Sequence, residues 1–488
     1  MRQTSWAVLM LFLCFAAAPL MATRKALSET MPVTTSSAKA RELYQKGMAD
    51  YENLYLERAN EEWRAAVKAD PNFALAQAWI AFNSRDPREA GAARAKAKAL
   101  MSRITPGERL MVKWITNVQE NDFIKGIAAM NDMMAMYPRD KRVLYLAGNW
   151  LVFENSWDQA EKIFERALAI DKDYPAALND LGYACAHNRE YDKAFAIMDR
   201  YVAVLSKEPN PQDSYAELLR MAGHFDKALE HYRASLKIDP NFVSSQAGLG
   251  DTYALMGNEP QARSEYEKAI QAAHNEADRL DYSLQEAATW VRENNFSEAT
   301  KAYFAVAEKA HAQGLNLQEA QAHRMIGMYE PDPATALKHM QAADEVLDHA
   351  STLAQSEREE ERARILRYRV MRATQSRDQD TADKSLNVLE TMANNSRSMV
   401  IHSAYHGAAG ALLIARQKFA EAIPHLEEDL DNPFSLELLC QAYAKTGAHD
   451  QEHETHAKLL GTNVATLEQA LVVPAARAKS TGITAEQQ

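Results

Sequence analysis

Three residues near the C-terminus have the spacing of a metal site. His449 and His453 are four residues apart, so on a helix they would share one face and could ligate one divalent cation. Glu452 completes the pattern His-x-x-Glu-His, in which a carboxylate serves as base for a metal-bound water. A zinc-hydrolase-like or metal-binding C-terminal module is therefore one alternative. The interpretation that we favour is a solvated polar cap at the end of a helical array.

Other catalytic motifs are absent from the 488 residues. The sequence has no phosphate-binding Gly-Lys-Ser/Thr loop, no Gly-x-Ser-x-Gly elbow and no Cys-x-x-Cys pair. We therefore expect a non-catalytic protein that needs no cofactor.

The charge balance bears on the class of partner. The chain carries 67 acidic and 55 lysine or arginine residues, which gives a net charge of −12. An acidic chain without a basic stripe is a poor ligand for phosphate backbones, so we expect no nucleic acid partner.

The N-terminus has the features of a secretory signal. Arg2 precedes an apolar stretch over residues 6–18, and small residues follow it up to Ala22. We expect a signal peptide over residues 1–22, a linker over 23–37 and an exported protein, either periplasmic or secreted. A membrane contact would then arise only if this segment stays uncleaved or is lipidated at Cys14.

The elements that position these residues follow from a repeat of small residues. One series recurs every 34 residues from position 92 to 262, and a second series lies twelve residues before it. The first series consists of Ala92, Gly126, Ala160, Ala194, Ala228 and Ala262. The second series includes Gly148, Gly182, Ala216 and Gly250. Each unit has the apolar spacing of two amphipathic helices, so the pattern predicts antiparallel helical hairpins whose small residues allow close approach.

The repeat resembles the tetratricopeptide repeat. The segment at 246–270 matches that motif with Leu249, Gly250, Tyr253, Ala262 and Tyr266. The segment at 40–71 matches with Gly47, Ala59, Trp63, Ala66 and Pro71 in the same roles.

The resemblance implies an all-α fold, a right-handed superhelical solenoid of about twelve antiparallel hairpins. We expect a regular array over residues 38–274, divergent hairpins over 275–461 and a C-terminal tail over 462–488.

The resemblance also implies a binding surface. In such arrays the first helix of each pair lines a concave groove. In register, the groove residues would be Arg142, Tyr145, Asn149, Phe153, Asn179, Tyr183, His187, Asp213, Glu217 and Arg220. Arg142, Asn149 and Asn179 echo the ring with which some family members clamp a C-terminal carboxylate, although the lysines of that ring are missing.

We therefore expect an exported scaffold or adaptor that binds a protein or peptide through its groove. Binding of a small solute or glycan inside the superhelix is a further alternative.

Overall fold

The computed structural model describes residues 29–480, and these residues form helices connected by short turns. The expected signal peptide at 1–22 lies outside the described residues. The first six hairpins are α1 (Ala38–Glu52) and α2 (Leu56–Ala69), α3 (Ala74–Asn83) and α4 (Pro87–Leu100), α5 (Pro106–Gln119) and α6 (Phe123–Met136), α7 (Lys141–Phe153) and α8 (Trp157–Ile170), α9 (Pro175–His187) and α10 (Tyr191–Val204), α11 (Asn210–Met221) and α12 (Phe225–Ile238).

Six further hairpins and a last helix follow. They are α13 (Val243–Leu255) and α14 (Glu259–Ala272), α15 (Glu276–Arg292) and α16 (Phe296–Gln313), α17 (Asn316–Tyr329) and α18 (Pro333–His349), α19 (Gln355–Gln375) and α20 (Gln379–Asn395), α21 (Met399–Ala415) and α22 (Phe419–Leu426), α23 (Pro433–Thr446) and α24 (His449–Leu460), and then α25 (Leu467–Ser480). The prediction of an all-α solenoid with about twelve hairpins is confirmed.

Close packing inside each hairpin explains the repeated small residues. A Cβ atom added to Gly250 would lie 2.7 Å from Cε1 of Tyr266 on the second helix of the same pair. The same relation joins Gly148 to Phe164, whose side chain is fully buried. Because the large residue fills the space that the small one leaves, the two helices can pack at interior density.

The turn within a hairpin is closed by one residue in the left-handed region. This residue recurs at 34-residue intervals, as Asn121, Asn155, Arg189, Gly223 and Gly257, with φ between 52° and 82°. Glycine and asparagine adopt this conformation readily, whereas arginine is strained there.

Successive turns of the superhelix contact each other along a line that we call the seam. Nε of Arg85, between α3 and α4, lies 3.0 Å from Oδ1 of Asp278 on α15. The ring of Tyr55 packs edge-on against Phe242, with centroids 5.8 Å apart. Asn463 donates to the carbonyl of Met221 at 3.2 Å, far along the same line. The divergent half therefore stacks on the regular half.

The segment expected to be a linker docks on the array over its described part. The backbone N–H of Met31 donates to Asp140 at 2.8 Å, and Thr34 Oγ1 donates to Glu108 at 2.7 Å. Thr35 Oγ1 donates to Asp70 at 2.6 Å. Each acidic acceptor belongs to a different hairpin junction, so this extended segment ties the first repeats together.

The region expected to be a tail contains α25. Its residues Leu467, Ala470, Val473 and Ala476 have helical spacing and are buried against α15, α23 and α24. The expected tail at 462–488 therefore includes a helix over residues 467–480, whose apolar stripe covers the last hairpins.

No helix among residues 29–480 combines the length and the apolar character that crossing a membrane requires.

Candidate functional site

The ten residues predicted to line the groove lie on α7, α9 and α11, the first helices of three consecutive hairpins. We call this surface the inner wall. Four of its members are buried, four are half-buried and two are exposed. The buried ones are Tyr145, Asn179, Asp213 and Arg220; the half-buried ones are Arg142, Asn149, Tyr183 and Glu217; the exposed ones are Phe153 and His187.

The half of the inner wall on α9 and α11 is a ladder of internal polar contacts. Tyr183 donates its hydroxyl to Glu217 at 2.7 Å, and Arg220 donates to the same carboxylate at 2.9 Å. Arg220 also lies 2.6 Å from Asp251 on α13, which accepts a hydrogen bond from Tyr266. These side chains hold neighbouring hairpins in register, since each one bridges to the next repeat.

Asp213 lies behind this ladder as a buried acid. It accepts a hydrogen bond from Ser245 Oγ at 2.6 Å. Burial raises the pKa of Asp213 to about 7, because the charged carboxylate loses its hydration.

The residues that echo a carboxylate clamp are engaged by carboxylates of the chain itself. Arg142 donates through Nε to Glu52 of α1 at 2.5 Å. Asn149 and Asn179 both donate to Asp180, at 2.8 and 3.0 Å. The donors that would hold a terminal carboxylate are therefore used internally.

Asp180 has no lysine or arginine within ion-pair distance among the described residues. Burial raises its pKa to about 6, and the two amide hydrogen bonds only partly offset this effect. The inner wall thus has acidic rather than basic character at its centre.

The two exposed members mark the open end of the inner wall. Phe153 is 68 % exposed at the C-terminal end of α7. It lines a cleft of about 420 Å³ that we call the Phe153 cleft, whose opposite side is formed by α19, α21 and the junction after α22. His187, at the end of α9, stacks on Trp157 with ring centroids 3.7 Å apart.

The rim of the Phe153 cleft is negative. Glu427, Glu428 and Asp431 are exposed there. Its two arginines are already paired: Arg367 lies 2.6 Å from Asp429, and Arg364 lies 3.6 Å from Glu361. The apolar surface of Phe153 and the partly exposed Leu430 lies inside this acidic rim.

Three acidic residues that pair with the inner wall were not predicted from the sequence. Asp251 lies 34 residues after Glu217, so the repeat itself could have revealed it. Glu52 follows Gly47 by five residues, the same offset that separates Phe153 from Gly148. Asp180 has no such signal, because no acid occupies its register position in the neighbouring repeats.

The histidines of the metal pattern lie on the surface of α24. The side chain of His449 is 71 % exposed, and its Nδ1 lies 3.2 Å from Glu452 Oε2. His453 is also exposed. Within residues 29–480, the group of three potential metal ligands that clusters within 4.8 Å is Glu161, Cys185 and Glu190. Lys193 lies against both of its carboxylates.

The paired helices, the seam and the inner wall define an α-solenoid, a class of repeat proteins that uses extended concave surfaces for binding. Residues 133–214 and 216–278 match the family model of the tetratricopeptide repeat. These two segments are similar to tetratricopeptide repeats, as the motif at 246–270 indicates.

Known proteins share parts of this architecture. Anaphase-promoting complex subunit 6 of Arabidopsis thaliana is 30 % identical over 110 residues, which cover 21 % of this chain and 20 % of that protein. The match thus spans a fifth of the relative's length. Two crystal structures are similar at 15 % identity and a TM-score of 0.41. One is the APC/C hetero-tetramer Cut9-Hcn1, with 85 % of this chain and 79 % of that chain covered. The other is yeast Tom70, with 85 % and 96 % covered.

Proposed function

We propose that this chain is an exported, non-catalytic scaffold that binds a partner protein at the open end of its concave face. The observation that carries the proposal is Phe153, a large aromatic side chain that is 68 % exposed inside a cleft. Exposed aromatic anchors in concave sites contribute a large share of the energy of protein association.

The self-paired part of the inner wall has a supporting role in this proposal. Tyr183, Glu217 and Arg220 are held by one another and by Asp251. Side chains fixed in this way lose little conformational entropy on binding, so they form a preorganised wall beside the cleft.

The charge of the rim selects the chemistry of the partner. Because Glu427, Glu428 and Asp431 are exposed around an apolar floor, the best occupant is a segment with an apolar residue flanked by lysine or arginine. Such a segment would bind more weakly as salt concentration rises, since rim charges are screened.

Site-specific photocrosslinking tests the location. A photoreactive phenylalanine analogue at position 153 should capture a specific protein in the native cell. The matched control is Ile124 on the outer helix α6, which is 65 % exposed and apolar as well. Equal capture from both positions, or capture from Ile124 alone, would contradict the proposed surface.

The export part of the proposal rests on the apolar stretch at residues 6–18 and the small residues after it. Mass spectrometry of the protein purified from its native host should find a new N-terminus close to residue 23. A cytosolic chain that retains Met1 would contradict export.

A further inference from the structure

Two hairpins of the divergent half carry a histidine pair at the same repeat position. His323 on α17 lies four residues before Gly327, and its partner His339 directly precedes Met340, the large residue packed on that glycine. His406 on α21 lies four residues before Gly410. His425 on α22 directly precedes Leu426, which packs on Gly410. Because the glycine contact fixes the crossing of the two helices, it brings each histidine pair together.

Other hairpins show which side chains the fold accepts at these two crossing positions. In the α11–α12 hairpin, Gln212 hydrogen bonds His231 at 2.7 Å. In the next hairpin, Gln246 donates to Glu265. In the α7–α8 hairpin the two positions are Leu144 and Ile163. Glutamine, glutamate and aliphatic residues therefore all satisfy the hairpin, and a histidine pair is not required for packing.

The separation of the ring nitrogens fits a shared metal ion. Nδ1 of His323 lies 3.4 Å from Nδ1 of His339, and Nδ1 of His406 lies 3.1 Å from Nδ1 of His425. Two nitrogens bound to one tetrahedral zinc, at about 2.0–2.1 Å each, are about 3.3–3.4 Å apart. Two adjacent nitrogens of a square-planar copper site would be about 2.9 Å apart at the same bond lengths.

The surroundings of the two pairs also suit a cation. All four histidines are half-buried, so solvent reaches them. The charged groups that act on them are Glu330 at His339, Glu428 at His406 and Glu390 at His425. His402, one turn before His406, is engaged through Nε2 by the carbonyl of Ser396 at 3.0 Å.

We propose that His323 with His339, and His406 with His425, form two equivalent sites for a divalent transition-metal ion such as Zn²⁺ or Cu²⁺. Each metal would join the two helices of one hairpin, and water or a ligand from a partner would occupy the remaining coordination positions. The proposal is independent of partner binding at the Phe153 cleft.

Calorimetric titration of the full chain with Cu²⁺, and separately with Zn²⁺, tests the stoichiometry. The wild type should bind two ions at these sites. His339→Gln should leave one of the two, His425→Gln should leave the other, and the double variant should leave neither. Glutamine is the chosen replacement because a glutamine side chain already forms a hydrogen bond across this crossing in other hairpins, between Gln212 and His231 and between Gln246 and Glu265.

Two control variants separate these sites from other histidines. His231→Gln removes a half-buried histidine at the same repeat position that has no histidine partner, and His449→Gln/His453→Gln removes the exposed pair on α24. Neither control should change the two sites. Nitrogen couplings in the electron paramagnetic resonance spectrum of bound Cu²⁺ should report two imidazoles at each site.

Two results would overturn the proposal. One is a metal stoichiometry that stays the same in the His339→Gln/His425→Gln variant while circular dichroism shows that it is folded. The other is loss of the bound ions in the His449→Gln/His453→Gln control.

Discussion

Replacement of Gly148 by alanine tests the packing rule that builds the array. The new Cβ would lie 2.7 Å from Cδ1 and 2.8 Å from Cζ of the fully buried Phe164. Carbon atoms normally approach to about 3.5–4.0 Å, so the ring or the helices must move by about 1 Å. Such overpacking costs about 1–3 kcal/mol, whereas alanine gains about 1 kcal/mol over glycine in helix propensity. We expect a net loss of about 1 kcal/mol.

Gly91 provides the matched control for this substitution. It lies within α4, and a Cβ added there would have no neighbour within 4 Å. Gly91→Ala should therefore stabilise its hairpin by about 0.5–1 kcal/mol, through propensity alone. The two variants make the same chemical change and are expected to have opposite signs.

Hydrogen exchange measured by mass spectrometry is the appropriate assay, because stability in a repeat array is local. Amides of α7 and α8 should exchange faster in Gly148→Ala, and those of α4 slower in Gly91→Ala. Adding Phe164→Leu to Gly148→Ala should recover protection, since the smaller side chain makes room for the methyl group. Slower exchange in α7 and α8 of Gly148→Ala would refute the packing rule.

Three further predictions concern buried charges and backbone strain. Because the pKa of Asp213 in the folded protein is raised to about 7, the free energy of unfolding of the wild type should fall by up to about 4 kcal/mol relative to that of Asp213→Asn as the pH rises from 4 to 7. The difference in the free energy of unfolding between the two proteins, measured by urea unfolding, should level off above pH 7. A difference that stays constant across this pH range would show that Asp213 is solvated. Arg324 and Glu361 form a buried pair at 2.6 Å, with side chains 7 % and 0 % exposed. Arg324→Met should cost about 3–5 kcal/mol and Arg324→Met/Glu361→Leu should recover most of it in calorimetric melting; equal losses would contradict a charge-based cause. Arg189→Gly should stabilise the α9–α10 hairpin by up to about 1 kcal/mol, because glycine relieves the strain at φ 62°, and faster hydrogen exchange there would contradict this.

Local features of the fold could be predicted because the repeat encodes them directly. The 34-residue spacing predicts the hairpins that the structure contains. The seam could not be predicted, since the contact between Arg85 and Asp278 joins residues 193 apart and depends on the accumulated twist of the superhelix. The docking of residues 31–36 could not be predicted either, because the carboxylates that accept its hydrogen bonds lie at three separate hairpin junctions.

The helix and the face on which each site residue lies could be predicted, but its hydrogen-bond and ion-pair partners could not. Register placed ten residues on the inner helices, because the helical period fixes which face a side chain occupies. It could not show that Arg142 is paired with Glu52, or that Asn149 and Asn179 donate to Asp180. Only Phe153 and His187 remain exposed, so a binding test belongs at this end of the wall rather than at the buried Tyr145.

The most direct test of the proposed binding surface is the dissociation constant of a partner identified by crosslinking at position 153. It should be measured for wild type, Phe153→Ala and Ile124→Ala at the same salt concentration. If the Phe153 cleft is the anchor, Phe153→Ala should weaken binding by about 30-fold, as expected for a hot-spot residue worth about 2 kcal/mol. Ile124→Ala should leave the constant within about twofold. Unchanged affinity of Phe153→Ala, with native helicity, would contradict binding at the open end of the concave face.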